Sequence, residues 1–483
     1  MKRSLRWTMA VATLTFAACS SDAISPEATL RAPDAPTMAL AAGGAAGHLV
    51  VLKNRNAASS VSAQVKELGG TVRYMHAEVG IALVDGLDDA SAAKLAKNAG
   101  TQEVMRDQEF TLAAPKATVQ AISDVAITSV ENPASANVFS RQWNMRLIEA
   151  DAAWAAGKLG SPGVTVAILD TGIDYDNFDL AGLVDLSRSR SFVPGDDALT
   201  AAFFPTRHVI DDYNGHGTNV ASQVSSNATW LAGVTSKTTL IGVKVLGRSG
   251  SGTTGGVLAG LLWAADNGAD VANMSLGNVF AKSEAKGFGS VINKVFNYAR
   301  QQGMLVVVAA GNAATDLQGN KDAFAAYCDA PHVICVSAVG PKTAMLNQDE
   351  PTYYTNFGRG AIAVSAPGGN ADEANGFPAS ARPWGNDVAS WVWSLCARRT
   401  LVLQNNQYFL TICSTPGVWA GAYIGTSQAA PHVAGLAASL FAEGMNASSV
   451  KQAIVKSADK VGGNGTTAHH GSGRINVKKA HGL

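Results

Sequence analysis

Four side chains in this 483-residue sequence could together carry out acyl transfer. Ser427 sits in "GTS" at the head of a helical run, "GTSQAAPHVAGLAASL". Asp170 closes "VAILDTGID", His216 lies in "NGHGTNVAS", and Asn312 ends "VVVAAGN". A serine hydroxyl is a poor nucleophile at neutral pH, so a neighbouring imidazole must take its proton as it attacks. A carboxylate must hold that imidazole in one tautomer and stabilise its cation. Donors must meet the oxyanion, and the Asn312 amide and the Ser427 N–H are the candidates. The helix that opens at Ser427 would turn its positive end towards that charge. Each residue alone has a plainer reading: Ser427 as a helix cap, Asp170 as a turn former, His216 as structural, Asn312 as turn punctuation. Four such residues, each at a strand or helix end, favour the chemical reading.

In order and with plausible gaps, "VAILDTGID", "NGHGTNVAS", "NMSLG", "VVVAAGN" and "GTSQAAPHVAGLAASL" resemble the subtilisin-like serine proteases, the subtilases. No GxSxG surrounds Ser427, and Asp precedes His precedes Ser, which argues against an α/β-hydrolase. The resemblance implies Ser427 as nucleophile, His216 as base, Asp170 as its partner and Asn312 as oxyanion donor. It departs at Gln428, where the family commonly has Met, and at "DYDNFDL", where many members have His-Pro. It also implies substrate contacts. Gly250, Ser251 and Gly252 would pair with extended substrate backbone, an affinity mode that rests on main-chain hydrogen bonds. Ser275, Leu276 and Gly277 would lie opposite. With Ala310 and Gly311 they would wall a roomy apolar pocket, so a large apolar residue is expected before the scissile bond.

The surrounding elements fit. From about residue 138, strand-like runs at 164–169, 239–245, 304–310 and 333–339 alternate with helical patterns near 216–226, 255–267 and 288–302. Strands that are apolar without alternation predict a mostly parallel sheet covered on both faces, in an α/β, three-layer fold. Functional groups then gather at the carboxyl ends of the strands. Residues 48–112 read as β-α-β-β-α-β, a split βαβ unit of ferredoxin-like order, with "QEVMRDQEFTL" as its last strand. By position it resembles an inhibitory I9-type propeptide. Residues 20–47 and 113–137 read as linkers, the second holding the processing site, and 138–483 as the catalytic domain. Residues 395–413 form an insertion that reads as a hairpin, "TLVLQ" and "QYFLTI". Two readings stand for it, a decorative surface hairpin and a rim of the substrate cleft.

The first 19 residues read as an export signal. Lys2, Arg3 and Arg6 precede an apolar run too short to span a bilayer. "FAAC" resembles a bacterial lipobox ending at Cys19, with an ordinary export signal as the alternative. A mature form secreted from a bacterial cell, from a precursor tethered by a transient lipid, is the expectation. Lys+Arg and Asp+Glu both number 37, a balance that gives no reason to expect nucleic acid. In an oxidising compartment Cys328, Cys335, Cys396 and Cys413 suggest two local disulfides, the simplest of three connectivities. With no CxxC pair, zinc is the weaker alternative. The chemistry requires no cofactor. Structural calcium is common in the family, and Asp174, Asp176 and Asp179 lie close together, but no site follows from their spacing. His469, His470 and His481 read as tail residues. The expected protein is a monomeric, self-processed serine endopeptidase acting on proteins or peptides, with its own propeptide as intramolecular inhibitor. The alternatives are a catalytically weak subtilase-fold binding protein and a serine esterase.

Overall fold

The computed structural model describes residues 29–30, 47–112, 118–119, 132–277, 279–281, 287–319, 323–341, 347–370, 390–404, 407–410, 420–463 and 465–483. The signal segment and Cys19, most of both linkers, and Cys413 lie outside these residues.

The N-terminal unit is built from β1 (His48–Leu52), α1 (Ala58–Glu67), β2 (Thr71–His76), β3 (Ile81–Asp85), α2 (Asp89–Leu95) and β4 (Thr101–Arg106). Its four strands are antiparallel in the order β2-β3-β1-β4. Period-two alternation explains why the sheet is buried on both faces. Val50 and Leu52 pack with Val61, Val65 and Leu95 of the two helices. Leu49 and Val51 turn the other way and join the core of the larger domain.

The expected last strand is divided. β4 ends at Arg106, and a second strand, β5 (Glu109–Thr111), leaves the sheet. The cause is Asp107, a buried carboxylate that a sheet cannot satisfy. Its Oδ1 instead accepts the Gly255 N–H at 2.7 Å. A further two-residue strand, β6 (Thr118–Val119), follows.

The larger domain carries a seven-stranded parallel sheet. Its strands are β7 (Thr165–Asp170), β8 (Arg190–Ser191), β9 (Thr239–Lys244), β11 (Val271–Met274), β12 (Leu305–Ala309), β13 (Ile334–Val339) and β14 (Val364–Pro367). Their order is β14-β13-β12-β11-β7-β9-β8, with a short strand, β10 (Ser251–Thr253), outside the sheet. Helices α3 (His216–Val224) and α6 (Thr426–Phe441) cover one face, with Val220, Val224, Val433 and Leu436 in its core. Helices α4 (Thr254–Asp266) and α5 (Phe288–Gln301) cover the other, where Leu258, Leu261, Val295 and Phe296 belong to the core that also takes in Leu49 and Val51.

The insertion is flanked by β15 (Val392–Leu395) and β18 (Ala420–Tyr423), which pair antiparallel. Within it, β16 (Leu401–Gln404) and β17 (Gln407–Leu410) form the expected hairpin. Residues Thr29–Leu30 add a third strand to β17. Cys328 and Cys335 are bridged. Cys396 is also disulfide-bonded. The three histidines are not a tail. His470 is buried, with Nδ1 3.2 Å from Ser365 Oγ, and His481 sits between Glu443 and Ser439 at 2.9 and 3.0 Å.

Candidate active site

Ser427 is the second residue of α6, and Gly425 is its cap, with φ 150° and no side-chain cap bond. A capping role for the serine is therefore excluded. Pro431 lies inside the same helix. Lacking an N–H, it leaves the Ser427 carbonyl without its helical donor. The Ser275 hydroxyl takes that place, donating to Ser427 O at 2.9 Å. The SLG segment is thus fastened to the helix head through the gap that the proline opens.

Asp170 ends β7 and His216 opens α3. The Asp170 carboxylate is wholly buried, and its Oδ1 lies 2.7 Å from His216 Nδ1 and accepts the Thr171 N–H at 2.7 Å. Burial disfavours the imidazolium, but the Asp170 charge and hydrogen bond outweigh it, with Asp212 adding to the field. The His216 pKa is raised above its ordinary value. Asp212 is itself saturated by neutral donors: Thr171 Oγ1 and the Asn214 and Gly215 amides on one oxygen, the Thr218 amide and hydroxyl on the other. It fixes the turn into α3. Gly217 has no room for a side chain, since a Cβ would stand 2.1 Å from the Gly172 carbonyl oxygen.

The outer nitrogen, His216 Nε2, is buried and has no hydrogen-bond partner. The Ser427 hydroxyl donates instead to the Ser275 carbonyl oxygen at 3.2 Å. The structure therefore joins Asp170 to His216 and leaves both the imidazole Nε2 and the serine without their mutual bond.

Asn312 is oriented from behind. Its Oδ1 accepts the Thr426 N–H and Thr426 hydroxyl, each at 2.9 Å, which leaves Nδ2 as the outward group. The Thr426 hydroxyl also accepts the Gly311 N–H at 3.0 Å. Asn356 shapes the loop that carries Asn312. Its Nδ2 donates to the Ala310 carbonyl at 2.8 Å, and its Oδ1 accepts the Ala313 and Thr315 amides at 3.0 and 2.9 Å. Neither Thr426 nor Asn356 stood out in the sequence. Gln428 stood out only as a departure. Its Nε2 donates to Asn219 Oδ1 at 3.2 Å, tying α6 to α3.

The expected substrate-binding segments lie around this centre. Segments 275–277 and 309–311 are side by side, since a Cβ on Gly277 would come 2.9 Å from Ala309 O and 3.2 Å from Gly311 N. Gly250, Ser251 and Gly252 already carry a partner. β5 pairs antiparallel with β10, Gly252 opposite Phe110 and Ser251 opposite Thr111, and the Leu112 N–H donates to Gly250 O at 3.0 Å.

The three carboxylates weighed for calcium have protein partners. Asp174 is held by Arg398, whose Nη2 and Nε lie 2.8 and 2.9 Å from its oxygens, and by Arg399 at 3.0 Å. Asp176 pairs with Arg207 at 2.6 Å and with both insertion arginines. Asp179 accepts the Thr229, Trp230 and Leu231 amides at 2.6, 2.9 and 3.0 Å, and burial pushes its pKa up to about 6 against those donors. Among the described residues no group of three His, Cys, Asp or Glu is placed to hold a metal ion.

A profile of the subtilase family (Peptidase_S8) matches residues 161–473. The chain is 33% identical over 349 residues to thermitase from Thermoactinomyces vulgaris, a match that covers 71% of this chain and 96% of thermitase. It is 30% identical over 362 residues to alkaline elastase YaB from Bacillus sp. strain YaB, covering 74% of this chain and 75% of that one. Among solved structures, the epidermin leader peptide processing serine protease of Staphylococcus aureus aligns with a TM-score of 0.66 at 22% identity, covering 90% of this chain and 98% of that one. Fervidolysin from Fervidobacterium pennivorans, described as a keratinolytic enzyme related to subtilisin, aligns at 0.64 and 20% identity, covering 91% and 61%.

Proposed function

Since this chain belongs to the subtilase family and is a serine protease, we propose that it is an exported, self-processed endopeptidase that works through Asp170, His216 and Ser427. The observation that carries this reading is the 2.7 Å Asp170–His216 bond with a buried, unpaired Nε2 behind it. When substrate enters, the Ser427 hydroxyl turns from the Ser275 carbonyl to His216 Nε2. Its oxygen attacks the peptide carbonyl carbon while Nε2 takes the proton. Asn312 Nδ2 and the Ser427 N–H receive the oxyanion, and a preorganised donor of this kind contributes roughly 10²–10³ in turnover. The C–N bond then breaks as His216 returns the proton to the leaving amine. Water, deprotonated by the same imidazole, releases the acyl group and restores Ser427. A large apolar residue is expected before the cut bond, in the pocket walled by segments 275–277 and 310–311.

The N-terminal unit acts as the inhibitor. Its β5 occupies the β10 edge where substrate backbone would lie, and its core is continuous with that of the enzyme. The processing bond is expected between residues 113 and 138, beyond the β5 ladder, which ends at Thr111. If Cys19 is acylated, the lipid lies on the propeptide side, so the same cut separates anchor from enzyme. Calcium does not fit at Asp174, Asp176 or Asp179, because arginines and backbone amides already take those oxygens.

Ser427→Ala should abolish peptidase activity and leave the chain at precursor length. Intact mass and N-terminal sequencing of the purified variant beside the wild type test this. Mature-length product from purified Ser427→Ala chain contradicts self-processing.

A further inference from the structure

We propose that the Cys328–Cys335 bridge determines specificity by position: it holds a strap of chain, residues 323–329, against the wall of the pocket that carries Ala310 and Gly311. The inference rests on the reading of segments 275–277 and 310–311 as the pocket for the residue before the cut bond, and adds the element that keeps that pocket closed.

The two walls come from different parts of the chain and meet at Ala309, where a Cβ on Gly277 would stand 2.9 Å from the carbonyl oxygen. Just past the first wall, Val279–Ala281 pairs antiparallel with Ala323–Ala325, the start of the strap. The second wall rises from β12. Its Val308 lies opposite Cys335 on β13, and the Ala310 N–H donates to Val336 O at 2.9 Å. The strap therefore runs from the end of one wall to the base of the other, and the disulfide is the link that closes the ring. Cys328 Sγ lies 3.8 Å from Ala309 O, the same carbonyl that Gly277 approaches. Ala310, Ala325 and Cys335 share one small core with Leu317 and Ile362, and Cys328 packs against it.

The turn that carries Cys328 is stiff in itself. The Ala325 N–H donates to Asp329 Oδ2 at 3.0 Å, and the Asp329 N–H donates to Ala325 O at 2.9 Å. It would therefore move as one piece, and it has room to move. Cys335 is buried in the sheet, whereas Cys328 is half-buried and lines an open cavity of about 470 Å³ with Leu317, Ala361 and Lys451. The bridge denies the turn a retreat into that space. Asn312 is oriented independently, by Thr426 and by the loop that Asn356 shapes. Opening the bridge should thus loosen the fit of a side chain in the pocket and leave the oxyanion donor in place. The substrates that need the bridge are those with a large apolar residue before the cut bond, because such a residue gains most from walls that do not yield.

The test compares the wild type with Cys328→Ala/Cys335→Ala, which leaves neither sulfur as a lone thiol. Two quenched fluorescent peptides are used that differ only in Phe or Ala before the cut bond. In the variant, the ratio of kcat/KM for Phe over Ala should fall roughly ten-fold, the size of a lost apolar contact, mainly through KM, with kcat for the Ala peptide within about two-fold of wild type. A staple that only stabilised the fold would lower resistance to urea and leave the ratio alone. An unchanged ratio, or an equal fall for both peptides, therefore overturns the inference and leaves the protease reading intact. Should the variant fail to mature, mature wild-type enzyme is partly reduced and its free thiols are mapped by mass spectrometry. The ratio must then fall in step with free Cys328. A ratio that stays constant as Cys328 is freed, or that follows free Cys396 instead, overturns the inference. Cleavage of neither peptide by wild-type enzyme of mature length overturns the reading beneath it.

Discussion

Two groups of charge involve aspartates at or just after the end of β7, and they are finished to different degrees. In the first, Asp170 meets a single imidazole and one amide through Oδ1, and its Oδ2 and His216 Nε2 have no partner. In the second, Asp174, Asp176 and Asp211 meet Arg207, Arg398 and Arg399 in a network where guanidinium forks take the carboxylate oxygens. The same side chain, aspartate, serves both. The difference lies in what remains unsatisfied. A saturated carboxylate has no capacity left for chemistry and holds chain segments together. An under-satisfied pair keeps a proton acceptor available, at the cost of a buried polar atom that the fold must tolerate. Proximity to the end of β7 therefore does not by itself mark a carboxylate as functional, and the proposed role of Asp170 rests on its bond to an imidazole whose outer nitrogen is open.

The first way to break this comparison is Asp170→Asn. A neutral amide can still reach Nδ1 but cannot stabilise the imidazolium or fix its tautomer, so turnover should fall by about 10⁴-fold with folding little changed. The pH profile sharpens the point. Protonated His216 cannot accept the serine proton, so kcat/KM must rise with pH through its pKa. Because that pKa is raised, the acid limb of the wild type should lie above the ordinary imidazole value. In the residual activity of the variant it should move down. A loss under ten-fold with an unmoved limb would put Asp170 in the structural class with Asp174.

The smaller effect is expected on the other side. Arg398→Met strips Asp174 of its bidentate partner but leaves Arg399 at 3.0 Å and Arg207 at 3.9 Å. A buried charge stranded outright costs about 3–5 kcal/mol. With two cations remaining, and with the Arg398 side chain 27% exposed, about 1–2 kcal/mol of stability is expected, with turnover on a short reporter within about ten-fold of wild type. Urea unfolding monitored beside reporter hydrolysis checks both. A collapse of short-reporter turnover with unchanged stability would move this cluster into the catalytic class.

The sequence was legible where the signal is local. Runs such as 239–245 and 333–339, apolar without alternation, became interior parallel strands almost residue for residue, because a strand covered on both faces has no polar position to keep. The motifs around Asp170, His216, Asn312 and Ser427 lie at strand and helix ends, as such sites must. Strands β11 and β14 are short and were not distinguished from their surroundings. The rest depended on partners distant in the chain. Nothing in "RDQEFTL" shows that Asp107 will cap a helix 148 residues away and pull the strand apart. Asp174 and Asp176 look like cation ligands until Arg398 arrives from 224 residues further on. Thr426, Asn356 and Gln428 act through hydrogen bonds whose partners no spacing rule connects. His470 and His481 sit near the end of the sequence, yet the last helix and turns fold back onto the core.

The central claim is that Ser427 is the one activated hydroxyl of this protein, and covalent labelling reads it most directly. Mature enzyme is treated with a fluorophosphonate, digested and mapped by mass spectrometry beside the Ser427→Ala chain. A single adduct on Ser427, rising in step with loss of peptidase activity and absent from the variant, is the predicted result. Activity that survives full labelling, or an inactivating adduct on any other residue, would contradict it.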